Sequence, residues 1–294
     1  MTSPIISFQD FGFQYDAQAE PTLHHINLDV YPGQKILIAG ASGSGKSTVA
    51  SCINGLIPHA YPGKITGKVL VDGKDVTQSS VFDLSHTVGT VLQDTDGQFI
   101  GLTVAEDIAF ALENDCVPQD DMKKTVQRVA QLVDIEHHLD HAPYELSGGQ
   151  KQRVSLAGVM VDDVKVLLDE PLANLDPAAG RTTIELIDEI QEKTGAAVLI
   201  IEHRLEDVLW RHVDRVVLMQ DGAIVADLPP GELLCGNFLM ERGIREPLYL
   251  TALRYARVPV TPEICPEHPD TLKLTDAQKQ QVKNWVLEQQ EEIK

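Results

Sequence analysis

The chain has 294 residues, 43% of them hydrophobic, enough for one large domain, or a domain with an appendage, around a sizeable core. Its 24 basic and 44 acidic residues leave a net charge of −20, which argues against general nucleic-acid binding and against adhesion to an anionic bilayer by charge alone. Cys52, Cys116, Cys235 and Cys265 form no C-x-x-C pair, so no cysteine-based metal or disulfide framework is expected and a reducing compartment fits. The N-terminus lacks the basic start and apolar core of a signal peptide. No apolar run approaches the roughly 18 residues that a membrane span needs.

In chain order, Ile6, Phe8 and Asp10, then Phe11, Phe13 and Tyr15, alternate loosely as a strand would. Leu23 to Val30 is a second strand, closed by Pro32-Gly33. Tyr15 ends its strand upstream of a glycine-rich loop, where an aromatic either stacks on a nucleotide base or serves as an ordinary strand tyrosine. Ile36 to Ala39 is a buried strand, and Gly40, Ala41, Ser42, Gly43, Ser44, Gly45, Lys46, Ser47 and Thr48 follow it. This is the phosphate-loop pattern G-x-x-x-x-G-K-[ST], set between a strand and a helix read from Ser47 to Ile57. Glycines let backbone N–H groups converge on phosphate oxygens, and the helix N-terminus adds positive potential there. Lys46 is expected to reach the β- and γ-phosphates, and Ser47 to ligate Mg²⁺.

Asp72-Gly73 marks a hairpin between two short strands. Thr87 to Leu92 is another strand, ending at Gln93. From about 103 to 160 the apolar spacing turns helical, an insertion between strands. Within it Leu146-Ser-Gly-Gly-Gln150 opens a helix, with Ser147 as N-cap. Val164 to Leu168 is a strand carrying Asp169 and Glu170 at its end. Asp176 and Pro177 then open a helix to Lys193. Ala196 to Ile201 is the next buried strand, ending at Glu202-His203. Two helices follow between 231 and 256. Pro259, Pro262, Pro266 and Pro269 suggest a linker over about 258–270, and Thr275 with Gln278 caps a final polar helix.

By chemistry, Asp169 at a strand end beside the loop can hold the Mg²⁺ shell, and Glu170 can orient and deprotonate an attacking water. Gln93 is placed to reach metal or water, and His203 to reach the γ-phosphate, although either residue alone is unremarkable.

Phosphate loop, Ser147-Gly148-Gly149-Gln150 segment, acidic strand end, Asp176 loop and His203 stand in the order found in ATP-binding cassette (ABC) ATPases. The chain resembles that family over about residues 5–230. The resemblance implies an α/β fold: a P-loop NTPase core with an N-terminal antiparallel β subdomain, an inserted helical subdomain at about 94–160, and a mainly helical C-terminal tail over 231–294. It implies ATP and Mg²⁺ as ligands, with Ser47, Gln93 and Asp169 around the metal and Glu170, His203 and Gln93 in catalysis. It makes Tyr15 the adenine-stacking aromatic. It also implies a head-to-tail pair of identical or homologous cassettes. Ser147, Gly148, Gly149 and Gln150 then bind the partner's ATP, and Asp176 lies at the seam.

The stretch Val91 to Phe110 is similar to the energy-coupling-factor group of vitamin and metal-ion importers, although Asp94-Thr-Asp-Gly-Gln98 departs from that group's usual Asn-Pro-Asp-Asn-Gln. The group's partners are a transmembrane coupling subunit and a substrate-binding membrane subunit, which would hold this chain peripherally at the cytoplasmic face of the cell membrane. Asp94, Asp96, Gln98 and Phe99 would meet the coupling helix. The alternatives are a soluble ABC ATPase of translation or DNA maintenance and a non-transport nucleotide-binding regulator. Against the first stand the acidic charge, the single cassette and a stretch from Lys46 to Ser147 too short for a long coiled coil. Against the second stand Glu170 and His203.

Overall fold

The computed structural model describes residues 3–91, 97, 99–162, 164–169, 177–203 and 205–292, with backbone alone at 168, 169, 177–179 and 290–292. Among the described residues the strands are β1 (Ile6–Tyr15), β2 (Leu23–Val30), β3 (Lys35–Gly40), β4 (Gly63–Val71), β5 (Lys74–Asp75), β6 (Val88–Val91), β7 (Val166–Asp169), β8 (Ala197–Glu202), β9 (Arg215–Gln220) and β10 (Ala223–Leu228). They form two sheets. One is antiparallel, in the order β2-β1-β4-β5. The other runs β10-β9-β3-β8-β7-β6 and is parallel except for β10, which pairs antiparallel with β9.

The sequence dictates this division. β2 alternates buried and exposed residues along most of its length, as a sheet with one solvated face requires. Every residue of β3 and β8 is buried, as in parallel strands covered on both faces. Successive side chains of β3 enter opposite cores. Ile36 and Ile38 join Phe11, Phe13, Leu23 and Ile53 under the antiparallel sheet. Leu37 and Ala39 join Ile108, Val129, Leu156 and Ile187 on the helical side. Each fully buried Leu or Ile contributes about 1.5–3 kcal/mol, whereas an exposed ion pair contributes about 0.2–1 kcal/mol. The two apolar faces therefore hold the central strand in place, and surface charge pairs add little.

The helical face is built by Val104–Asn114, Gln119–Leu132, Gly148–Val159 and Pro177–Thr194. The helix behind the glycine-rich loop spans Lys46–Ile53 and stops short of the expected Ile57. Asn54 caps it, and Gly55, at φ +80°, turns the chain into a separate short helix, Leu56–His59. In the proline-rich stretch Val258, Val260 and Ile264 are buried in the helical-side core. Tyr249, on the helix Leu248–Tyr255, donates to the carbonyls of Pro266 at 2.6 Å and Glu267 at 2.9 Å. Tyr255 and Trp285 stack with ring centroids 6.1 Å apart, placing the last helix, Asp276–Glu292, against that one.

Candidate nucleotide site

The loop leaves β3 where the parallel sheet ends. Gly40 pairs with Met219 of β9, and a Cβ there would lie 2.3 Å from the Met219 carbonyl oxygen. Only glycine allows that approach. Gly43 has φ +81° and nothing within 4 Å of a built Cβ, so its backbone faces open space. Gly45 caps the helix with no side-chain cap, and the first turn holds no acidic residue. Backbone N–H groups at a helix N-terminus attract anions. Lys46 Nζ donates to the carbonyls of Gly40 and Ala41, both at 2.9 Å, which brings its ammonium over the loop. Ser44 Oγ is buried with no hydrogen-bond partner among the described residues. A bare cradle, an uncapped helix start, an ammonium and an orphaned hydroxyl form a donor set that suits a polyphosphate. Behind the loop, burial keeps the Cys52 thiol protonated and pushes its pKa up.

Tyr15 stands beside this helix start. Its hydroxyl lies 3.3 Å from Thr48 Oγ1, and its half-buried ring meets Phe13 edge-on at 4.7 Å and Tyr61 at 6.4 Å. The aromatic therefore flanks the loop.

The remaining chemistry enters from neighbouring strand ends. Ala39 pairs with Glu202, Ile200 with Asp169, and Asp169 with Val91. The C-terminal ends of β3, β8, β7 and β6 thus lie side by side, bringing together the backbones of the loop, His203 and Asp169. Gln93, Glu170 and Asp176 lie outside the described residues, as do Asp94, Asp96 and Gln98, and only the backbone of Asp169 is described.

His203 is exposed, while the Glu202 side chain is 4% exposed. Glu202 Oε2 accepts the His203 backbone N–H at 3.0 Å and lies 3.3 Å from His203 Nδ1. A carboxylate only accepts, so a proton on Nδ1 completes the contact and leaves Nε2 to face outward. Glu202 therefore positions the histidine, a role the sequence reading missed. Its signal was a carboxylate closing an otherwise apolar buried strand.

Ser147 caps the helix Gly148–Val159 in a capping box with Gln150. Gln150 Oε1 accepts the Ser147 N–H at 2.9 Å, and its amide nitrogen donates to His138 Nε2 at 3.1 Å. Ser147 and Gly148 are exposed, and nothing lies within 4 Å of a Cβ built on Gly149. This helix packs against Val104–Asn114, Gln119–Leu132, Pro177–Thr194 and β6, so the segment presents its glycines outward from the helical layer. Phe99, expected to meet the coupling helix, packs half-buried against the helical core. Ile100 and Leu102 are the exposed apolar residues there, at 65% and 82%.

A family model described as ABC transporter matches residues 23–173, and one described as ATP-binding cassette cobalt transporter matches residues 236–294. An Enterococcus faecalis protein, provisionally named an ABC transporter ATP-binding protein, is 61% identical over 262 residues, covering 89% of this chain and 46% of its own length. A similarly named Clostridium perfringens protein is 58% identical over 282 residues, 96% of this chain and 50% of that one. The chain thus spans about half the length of the curated relatives it matches. The solved structure of cbiO1 from Clostridium perfringens, described as part of the ABC transporter complex cbiONQ, superimposes with TM-score 0.74 at 29% identity, over 86% of this chain and 99% of that one. A dimeric ATP-binding cassette, MJ0796, in a post-hydrolysis state with ADP and Pi, superimposes with TM-score 0.65 at 23% identity, over 76% of this chain and 98% of that one, and shares the fold.

Proposed function

The chain belongs to the ABC transporter family as an ABC ATPase cassette, and on that premise we propose that it hydrolyses ATP to drive import through a membrane transporter. The observation that carries this reading is the loop at the end of β3, flanked by the strand ends that bear His203 and Asp169.

Tyr15 stacks on the adenine. The backbone from Gly40 to Gly45, with Lys46, Ser47 and Thr48, binds the phosphates. Ser47, Asp169 and Gln93 would hold Mg²⁺, which would supply charge neutralisation to the reaction. Glu170 takes the proton of the attacking water. His203, held by Glu202, offers Nε2 toward the γ-phosphate. A second cassette, identical or homologous, contributes its own Ser147, Gly148, Gly149 and Gln150 to the opposite face of the nucleotide, with Asp176 at the seam. Residues 1–230 form the cassette, and 231–294 form a tail.

The cargo is a vitamin or a metal ion. The cobalt-transporter model over the tail supports a metal ion. The transporter complex described for the cbiO1 neighbour supports a transmembrane coupling subunit and a substrate-binding membrane subunit as partners. Among the described residues no helix is long and apolar enough to cross a membrane; the proposal puts the chain at the cytoplasmic face, held by those partners.

The test is affinity purification of the tagged chain from detergent-solubilised membranes, with ATP hydrolysis measured on the recovered complex. Integral membrane subunits are expected, with activity lost in Lys46→Ala. Recovery with ribosomes or DNA alone, and no membrane subunit, would favour the soluble alternative.

A further inference from the structure

Outside the nucleotide loop, three helix C-termini meet. His86 caps the helix Val81–Ser85, and Asp115 caps Val104–Asn114. Asp162 ends a 3₁₀ turn, Met160–Asp162, that continues the helix Gly148–Val159. Helix C-termini carry partial negative charge and favour basic residues. Neither of the two longer helices has a basic residue in its last turn, and a carboxylate follows each. The backbone and the side chains thus build negative potential at one place.

One donor atom from each of His86, Asp115 and Asp162 lies within 4.8 Å of the other two. His86 Nε2 is 3.3 Å from Asp115 Oδ2. His86 Nδ1 is 2.9 Å from the Phe82 carbonyl oxygen. A carbonyl only accepts, so Nδ1 carries the proton and Nε2 faces the carboxylates. A lone pair held against a carboxylate is repulsive unless a proton or a metal cation lies between them. An Nδ1–H donated to a backbone carbonyl is also how metal-bound histidines are held in orientation.

The geometry points to a divalent transition-metal site formed by His86, Asp115 and Asp162. One imidazole with two carboxylates suits Zn²⁺, Co²⁺ or Ni²⁺, whereas Mg²⁺ and Ca²⁺ favour oxygen alone. Bonds from such ligands to the ion run about 2.0–2.2 Å. The three ligands come from distant segments, which is why no sequence spacing announces them. His86 leads into β6, the strand that runs toward Gln93, while Asp115 and Asp162 follow helices of the inserted region. A bound ion therefore ties that region to the sheet edge, outside the nucleotide site.

The test is titration of the purified, nucleotide-free full chain with Co²⁺, followed by visible absorption and calorimetry in excess Mg²⁺. Saturable binding of one ion per chain in the micromolar range is expected. His86→Gln and Asp115→Asn should each weaken it at least ten-fold. His25→Gln, which removes an exposed histidine paired with Asp10 at 2.8 Å, should leave it unchanged. Circular dichroism checks folding, and Asp162→Asn replaces any variant that fails to fold. Absence of saturable binding below millimolar Co²⁺, or equal binding by the wild type and the site variants, overturns the site and leaves a protonated His86 paired with the aspartates.

Discussion

Tyr15 makes two contacts that substitution can separate. Its hydroxyl meets Thr48 Oγ1 at a long 3.3 Å, while its ring flanks the loop between Phe13 and Tyr61. Tyr15→Phe should keep ATP affinity within about two-fold, whereas Tyr15→Ala should weaken it about ten-fold or more, since base stacking contributes about 1–3 kcal/mol. Fluorescent-nucleotide titration compares the two, and equal affinities would remove Tyr15 from the adenine site. Glu202 is the second case. Glu202→Gln keeps the shape of the buried side chain but puts an amide beside His203. The turnover number should fall several-fold with KM for ATP nearly unchanged, because Glu202 acts through the histidine. Steady-state hydrolysis assays test this, and unchanged turnover would make Glu202 merely structural. The two residues also mark what sequence shows. The loop from Gly40 to Thr48 was legible because its chemistry is local and its spacing is fixed by backbone geometry. Glu202 was not, because its role depends on burial at a strand end, which only tertiary packing creates. The orphaned hydroxyl of Ser44 escaped notice for the same reason.

At the scale of elements, strands and their order in the chain were readable from apolar runs, and the departures have local causes. The loose alternation of the first strand comes from a register shift between Phe8 and Phe11 against β2, with Asp10 at φ +47°. That bulge resets the period, so Phe8, Phe11 and Phe13 all reach one core. The helix after the loop ends before the expected Ile57 because Gly55, at positive φ, turns the chain. The proline-rich stretch read as a linker because prolines break regular structure, although irregular backbone can still bury Val258, Val260 and Ile264. Tyr249 fastens that stretch with one hydroxyl shared between two carbonyls. Tyr249→Phe should cost about 1–2 kcal/mol, read as a lower urea midpoint, with ATP affinity unchanged. An unchanged midpoint would mean the hydroxyl does not fasten the stretch.

At the scale of the molecule, the parallel sheet collects at one edge groups that are far apart in sequence. β8 stands between β3 and β7, so His203 emerges between the phosphate loop and Asp169. The order of the motifs was visible in the chain, but this adjacency was not, because strand order differs from chain order. The glycines of the Ser147 segment face outward from the helical layer, which suits a site completed by a second cassette. The proposed function has ATP hydrolysed at this edge with Glu170 as general base. Its most direct test compares the wild-type and Glu170→Gln assemblies for ATP binding and phosphate release under the same conditions. The variant should bind ATP within a few-fold of wild type yet release phosphate about 10²–10⁴-fold more slowly. Phosphate release within a few-fold of wild type would contradict the account.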